Sequence, residues 1–384
     1  MTVARREIVD ASEPGVYHCV SRCVRRAYLC GRDAYSGRDF SHRKSWIRDR
    51  LSLLTDVFGM RILTYAVMDN HLHIILCTNP DAAAKWSTQE VVRRWRRLIG
   101  ESAEGAANGH DNVTEGDTID VIADVSLIST WRERLSSISW FMRCLNEHIA
   151  RRANREDECK GRFWEGRFKC TRLLDEASIL TCMTYVDLNP VRAAMVDSLH
   201  EPQFTGAFDR LEARRGRQRL AGLQQRFEGQ LSTEEPLVQP PDLASSSPRL
   251  NHHALPANKR RRIKKIVKRE RQRSLQSSHL VALDGDYSPL RSLGEQEYLG
   301  LLDWAGRQLK NKKSGSIPAD APDVLAELDI DTENWLSAME HFDDWFAYMA
   351  GRVTQLIQAA RRLGKRWLKG FGPSRKIFLQ PPST

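Results

Sequence analysis

The chain has 384 residues, a length typical of two or three domains, and its formal net charge is +10. No run of about 18 apolar residues is present, which argues against a transmembrane helix. The first ten residues lack the apolar stretch of a secretory signal. Eight cysteines without a CxxC pair favour reduced thiols over disulfides or a zinc site. We therefore expect a cytoplasmic protein without a membrane partner.

The predicted elements alternate between strands and helices. A strand-like segment after a Pro-Gly pair is followed by a helix, and two strands then flank a tight turn at Asp69-Asn70. A capped helix and a long helix follow, and a further strand leads into a last helix, which must end near Asn189 because Pro190 disfavours helical geometry at the residue before it. In chain order these predictions cover residues 15–24, 39–59, 60–68, 71–78, 87–100, 130–153, 161–175 and 175–188.

This order predicts an α+β fold, with a small antiparallel sheet backed by helices. The first domain would span residues 1–228, with a flexible insertion at about 101–128. A Pro/Ser-rich linker at 229–258 and a basic segment at 259–275 would separate it from a helical C-terminal domain of unknown role, residues 285–384. The spacing of the tryptophans in that last domain predicts core positions for Trp304, Trp335, Trp345 and Trp367.

Positive charge is concentrated in the basic segment. Residues 259–273, KRRRIKKIVKRERQR, hold ten basic residues and one acidic residue, whereas the rest of the chain is nearly balanced. Such a segment attracts polyanions, nucleic acid first, and can bind DNA backbone without sequence preference. The alternative is a disordered, solvated charge run. The DNA-binding candidates are Lys259, Arg260, Arg261, Arg262, Lys264 and Lys265.

Two histidines interrupt an apolar strand in YAVMDNHLHIILC, residues 65–77. His71 and His73 project from the same face, about 7 Å apart along the strand, because alternate strand residues share a face. Two imidazoles in this arrangement can hold a divalent cation and leave positions for substrate oxygens. The alternative is a pair that only forms hydrogen bonds on a solvated face.

The helix ILTCMTYVDLNPVRAAMV carries Tyr185, with Asn189 four residues later on the same face. Tyr185 lies off the apolar stripe, beside small or polar residues, although a surface tyrosine would also fit this position. With a cation held by the histidines, Tyr185 could attack a phosphodiester, and the amide oxygen of Asn189 could complete or support the metal shell. The linkage would stay covalent, so rejoining would need no nucleotide cofactor.

At this point the sequence resembles a known family. VMDNHLHIIL is similar to the His-hydrophobic-His (HUH) motif of single-tyrosine transposases of the insertion-sequence-200-like type. GRFWEGRFK followed by YVDLNPVRAAMV, and GVYHCVSRCVRRAYL near the N-terminus, resemble the REP-associated tyrosine transposases, which act on short repetitive extragenic palindromes in bacteria. The resemblance covers roughly residues 12–200. The insertion and the C-terminal half depart from the family pattern.

The resemblance implies a ferredoxin-like (RRM-like) sheet with the HUH histidines on a central strand. It implies cleavage and joining of single-stranded or hairpin DNA, with REP-like palindromes among the targets, by a monomer or homodimer that uses Mg²⁺ or Mn²⁺. Carried over by position, His71 and His73 become metal ligands, Tyr185 the nucleophile that forms a 5′-phosphotyrosine, and Asn189 a residue near the metal. A nucleoid-associated location follows from the DNA partner.

Further DNA contacts are expected near the first strand and in GRFWEGRFK. Arg162, Arg167 and Lys169 interleave with aromatic residues and could hold phosphates while the rings stack on bases. The alternative is a strand with an aromatic core face and a solvated basic face. Arg22 and His18 would lie by the substrate. Two other functions remain open: a DNA-binding regulator that has lost catalysis, and a metal-dependent phosphodiesterase that uses water instead of Tyr185.

Overall fold

The structure is a computed structural model, and it describes residues 4–24, 29–33, 37–103, 124–201, 203–226, 257–311 and 321–379. Within these ranges the chain combines one five-stranded sheet with many helices, which confirms the predicted α+β class. Among the described helices, none is both long and apolar enough to cross a membrane.

The strands are β1 (Gly15–Arg22), β2 (Met60–Val67), β3 (His71–Thr78), β4 (Lys169–Leu173) and β5 (Met349–Ala350). The helices are α1 (Arg5–Ile8), α2 (Arg43–Val57), α3 (Pro80–Ala84), α4 (Thr88–Ala103), α5 (Val125–Leu135), α6 (Ile138–Glu156), α7 (Glu176–Asp187), α8 (Asn189–Arg192), α9 (Gly206–Arg226), α10 (Ala257–Ser274), α11 (Glu295–Asn311), α12 (Asp323–Glu327), α13 (Thr332–Trp345), α14 (Val353–Arg362) and α15 (Phe371–Ile377).

The predicted elements of the first 190 residues form close to their expected bounds, with one difference. The predicted long helix at 130–153 is two helices, α5 and α6, because the chain breaks at Ser136 and Ser137. The Ser137 side chain accepts a hydrogen bond from the Trp140 N–H and so begins α6. Most of the predicted insertion (101–128) and of the predicted linker (229–258) lies outside the described residues.

The strand order is β2-β3-β1-β4-β5. β1 pairs with β3 and β4, and β2 pairs with β3, all antiparallel, whereas β5 is parallel to β4. The tight turn at Asp69-Asn70 is confirmed, since the Met68 N–H donates to the His71 carbonyl across it. β3 therefore lies inside the sheet, between β2 and β1.

The two faces of the sheet carry different residues. Leu72, Ile74 and Leu76 of β3 are fully buried in the main hydrophobic cluster, to which α2 and α6 contribute their apolar faces. On the opposite face α7 contacts β2, β3 and β4, and α13 packs on α7. α7 is buried from Ala177 to Asp187 because it lies between the sheet and α13.

The C-terminal region packs along both edges of this sheet. At one edge β5 adds to β4, where the Arg172 N–H donates to the Tyr348 carbonyl at 2.8 Å. At the other edge the Val281 N–H donates to the Ile62 carbonyl of β2, also at 2.8 Å. Both edge strands thus find backbone partners that satisfy their outer hydrogen-bonding groups.

The chain divides into two compact units: residues 1–208 together with 279–384, and residues 209–278. In the second unit, Glu270 of α10 is buried and forms ion pairs with Arg219 and Arg273. Gly216 lets the two helices of this unit approach closely, because a Cβ there would lie 2.6 Å from the Ser274 nitrogen. The predicted domain boundaries at 228 and 285 stay predictions.

Candidate metal and tyrosine site

Two histidines from adjacent strands stack on the face covered by α7. In the antiparallel register Val20 opposes His73 and His18 opposes Ile75, so His18 and His73 project from the same face. Their rings are nearly parallel, with centroids 5.1 Å apart, and His18 Nε2 lies 2.8 Å from His73 Nδ1. Both side chains are buried.

Asp343, near the end of α13, brings a carboxylate to this pair. Its Oδ1 lies 3.6 Å from His18 Nδ1. One ligand atom from each of His18, His73 and Asp343 can be chosen so that the three lie within 4.8 Å of one another. Within the described part of the chain, this is the group of histidine, cysteine and acidic residues whose spacing would suit a metal ion.

Arg192 and Asn189 fix the position of the protons on these rings. The Arg192 Nη2 donates to Asn189 Oδ1 at 3.1 Å, so the amide nitrogen of Asn189 faces His73 Nε2, also at 3.1 Å. His73 Nε2 must then be an acceptor, and the proton of this neutral ring is on Nδ1, from which it is donated to His18 Nε2. By the same reasoning the proton of His18 is on Nδ1 and faces Asp343.

The amide oxygen of Asn189, which was expected from the sequence to complete or support the metal shell, faces Arg192 in this structure, and its role near a metal stays a prediction. Its Oδ1 is held by Arg192, and the Arg192 Nη1 also donates to the Met339 carbonyl of α13. The group that Asn189 presents to His73 is its amide nitrogen. A metal at His73 Nε2 would require this amide to turn or to move away.

Burial keeps the histidines neutral. Desolvation lowers the pKa of His18 and of His73 below the ordinary value, and the neighbouring His18 lowers that of His73 further. The Asp343 carboxylate opposes the shift at His18. Neutral imidazoles are the form that binds metals. A metal at His18 Nδ1 would nevertheless require the proton of that ring to move to Nε2, which removes the acceptor of the hydrogen bond between the rings.

Tyr185 reaches the same carboxylate from α7. Its hydroxyl donates to Asp343 Oδ2 at 3.1 Å, and its side chain is 5% exposed. The ring lies beside Phe342, with centroids 5.5 Å apart, and the Arg192 guanidinium carbon lies 4.4 Å from the ring centroid. Burial, and then the charge of Asp343, raise the pKa of Tyr185, while Arg192 lowers it. The phenol is thus protonated at neutral pH and is directed at a base.

His71 lies at the margin of this cluster. Its ring is perpendicular to that of His73, at a centroid distance of 4.8 Å, and its Nδ1 lies 2.5 Å from Asn70 Oδ1. Burial and the nearby charge of Arg22 lower the pKa of His71 to about 4. The predicted pair does share a face, but the His-His-Asp group takes its second histidine from β1.

The side chains expected to contact DNA near the sheet differ in exposure: the cations are exposed, whereas two of the aromatic rings are buried. Arg22, Arg162, Arg167 and Lys169 are exposed. The interleaved Phe163 and Trp164 are buried in the main hydrophobic cluster, and the Trp164 Nε1 donates to the Asn146 carbonyl. These two rings are therefore unavailable for stacking on bases, as the alternative of an aromatic core face beside a solvated basic face predicts.

The basic segment forms α10 rather than a disordered run. Its apolar Ile263 is buried, whereas the cations around it face solvent. The side chain of Arg260 is not among those described. The exposed candidates are Lys259, Arg261, Arg262, Lys264 and Lys265.

The donor set of the His-His-Asp group suits a divalent cation. Two neutral imidazoles and one carboxylate match first-row metals such as Mn²⁺, and they match Mg²⁺ less well because Mg²⁺ prefers oxygen ligands. His18, His73 and Asp343 are the residues that would hold such an ion. The carboxylate would also offset part of the positive charge of the ion.

Comparisons with known proteins give a distant structural likeness and no match of sequence. No family model matches the chain, and no curated protein matches it. A solved structure described as a REP-associated tyrosine transposase bound to a REP hairpin is similar over 53% of this chain and 82% of its own, at 14% identity and a TM-score of 0.31. A likeness at this level is distant, and the family of this chain is not established by it.

Proposed function

We propose that this protein cleaves and rejoins DNA strands, single-stranded or hairpin, through a covalent bond to Tyr185, with the help of a divalent cation. The observation that carries the proposal is the shared carboxylate. Asp343 faces His18 with Oδ1 and accepts the Tyr185 hydroxyl with Oδ2. A nucleophile, a base and a cation site therefore meet at one residue.

Each group has a part in the reaction. A divalent cation held by His18, His73 and Asp343 would supply a Lewis acid for a phosphodiester oxygen. Tyr185 Oη attacks the phosphorus, its proton passes to Asp343 Oδ2, and the bond from phosphorus to the 3′ oxygen breaks. The leaving 3′ oxygen takes a proton from solvent. The products are a 5′-phosphotyrosine and a free 3′-hydroxyl, and attack by such a hydroxyl reverses the step and joins the strands.

The surroundings of the site support DNA as the substrate. Arg22 is exposed at the end of β1, the strand that carries His18. Lys169 and Arg167 are exposed at and before the start of β4, which pairs with β1, and cations of this kind bind phosphates. The order β2-β3-β1-β4 with antiparallel pairing supports, as part of this proposal, a ferredoxin-like arrangement of these four strands. β3, which carries His71 and His73, is an interior strand of this sheet.

A metal-dependent phosphodiesterase that activates water is the second candidate. The composition of the His-His-Asp group favours it, because the group is complete without the phenol. The two functions differ in one product. Attack by Tyr185 leaves DNA bound to the protein, whereas attack by water releases both strands.

The test compares the parent protein with Tyr185→Phe on labelled hairpin DNA in the presence of Mn²⁺. The parent should give cleaved DNA and a protein–DNA band that survives denaturant, and the variant should give neither. Tyr287→Phe is the control, since Tyr287 is exposed and its ring lies against Arg61 of β2 rather than against a site residue. Continued cleavage by Tyr185→Phe would identify the phosphodiesterase, and binding without cleavage by the parent would identify a regulator.

A further inference from the structure

The C-terminal part of the chain presents an exposed tryptophan, contrary to the core position predicted for it. Trp304 and Trp335 are buried as expected, but Trp367 is 69% exposed. Its neighbour Leu368 is 5% exposed and packs in a small cluster with Met349 and Leu356. The backbone is therefore anchored at Leu368 while the indole of Trp367 faces solvent.

Two glycines shape the segment that carries this indole. Gly364 ends the turn after α14 with φ +62°, and Gly370 precedes α15 with φ +117°. A Cβ at Gly370 would lie 2.7 Å from the Phe346 ring. Left-handed geometry at both ends, together with the anchor at Leu368, holds residues 364–370 as an ordered connection. We call this connection with the two flanking helices the Trp367 segment, residues 353–377.

The charged residues that flank Trp367 along the sequence have one sign. From Trp345 to Leu379 the chain has no aspartate or glutamate and has eight cations, of which seven lie in the Trp367 segment. Within the described residues, five exposed cations of the segment form no ion pair: Arg361, Arg366, Lys369, Arg375 and Lys376. Unpaired exposed cations attract a polyanion in a salt-dependent way.

We propose that the Trp367 segment binds single-stranded nucleic acid, with the indole stacked on an unpaired base and the cations on the phosphates. An exposed aromatic ring beside several cations is the combination that holds single strands without sequence preference. Stacking of one ring on one base requires only the exposed area that Trp367 offers. The proposal concerns binding alone and is independent of the chemistry at Tyr185.

An anionic membrane surface is the other polyanion to consider, and the segment fits it less well. A membrane-binding helix needs a continuous exposed apolar face. The apolar face of α14 is instead buried, with Val353, Leu356 and Ala360 packed inside. One exposed indole offers little apolar area for insertion into a membrane, whereas its ring is large enough to stack on one nucleobase.

Photo-crosslinking of the full-length chain tests the proposal directly. The protein carries Tyr185→Phe and the buffer contains EDTA, so that neither tyrosine attack nor metal-activated water can consume the probe. The probe is a 5-iodouracil-containing strand of about 12 nucleotides, which is within the range of single-strand sites. We expect mass spectrometry to locate a crosslink at Trp367. Crosslinks found only elsewhere, for example in α10, would overturn the proposal.

Affinity measurements complete the test. Trp367→Ala should weaken binding of the same strand by about 5- to 100-fold, and Trp367→Phe should retain most of it, because a phenyl ring also stacks. Binding of a blunt duplex should change little, and Tyr287→Ala, which removes another exposed ring, should have no effect. Equal binding by Trp367→Ala, or loss of binding only to phosphatidylserine vesicles, would contradict the proposal.

Discussion

Asp343 accepts a hydrogen bond from the hydroxyl of Tyr185 at 3.1 Å, although 158 residues separate the two along the chain. The contact exists because α13 packs on α7 and ends beside His18. The C-terminal region thus contributes a residue to the candidate site, in addition to covering it. Function at Tyr185 should then depend on a carboxylate supplied by α13, in the C-terminal region.

Asp343→Asn should reduce the rate of DNA cleavage by about 10²- to 10⁴-fold, because an amide cannot take the phenol proton and is a weaker metal ligand. Single-turnover cleavage of labelled hairpin DNA at saturating Mn²⁺ measures this rate. Asp344→Asn is a matched control, since the neighbouring residue is also exposed and acidic. Equal loss in both variants would mean that the effect is general to this end of α13.

Metal affinity should distinguish the His-His-Asp group from the predicted HUH pair. His18→Ala and His73→Ala should each weaken Mn²⁺ binding by at least about tenfold, because each removes a ligand. His71→Ala should weaken it less, since His71 is outside the group. Titration calorimetry with Mn²⁺ gives the three affinities. If only His71→Ala and His73→Ala weakened Mn²⁺ binding, the metal ligands would be His71 and His73, as predicted from the sequence.

Stability should fall as the pH is lowered from neutral to about 5, in part through His148. Burial and the charges of Arg50 and Arg152 lower the pKa of His148 to about 4 in the folded chain, whereas the unfolded value is near 6.5. The unfolded state therefore binds more protons between these values, so stability is present above pH 6.5 and is lost on acidification.

We expect this histidine to account for about 1 kcal/mol of the loss at pH 5, after allowance for its partial exposure. Urea unfolding of the parent and of His148→Gln at pH 5 and at pH 7 measures the difference. The variant should lose less stability between the two conditions than the parent. An identical loss would show that His148 titrates normally in the folded protein.

Trp335 should be required for the fold as well as for the site. It is a fully buried residue of α13, and its Nε1 donates to Thr181 Oγ1 of α7 at 3.0 Å. Trp335→Ala should lower the free energy of unfolding by about 3–5 kcal/mol, and it should also slow the reaction of Tyr185 because α13 carries Asp343. Urea unfolding measures the first effect. A change below about 1 kcal/mol would mean that the C-terminal region is only loosely attached.

The sequence was sufficient for the four antiparallel strands and for the face on which the histidines lie, but not for β5, which lies in the region expected to be helical. Alternation in HLHIILC placed His71 and His73 opposite Leu72 and Ile74, because period-two patterns directly encode sheet faces. The pairing register of β1 with β3 is not encoded in this local way. His18 was therefore expected near the substrate but not as a ligand.

Neither the position of Asp343 in the candidate site nor the exposure of Trp367 was predicted from the sequence. The stretch around Asp343, EHFDDWF, resembles an ordinary amphipathic helix, and its place beside Tyr185 depends on tertiary packing between distant helices. The prediction of a core position for Trp367 was wrong because it treated the segment as a helix with a regular apolar face. Gly364 and Gly370 on either side of Trp367 were the signal that the helix is interrupted there.

The central claim, that Tyr185 forms a bond to DNA, is tested most directly by mapping the covalent adduct. The protein would be incubated with hairpin DNA and Mn²⁺, treated with nuclease and protease, and analysed by mass spectrometry for a peptide that carries a nucleotide. We predict a nucleotide linked to Tyr185 through a 5′ phosphate. Cleaved DNA without an adduct, or an adduct on any other residue, would contradict the account.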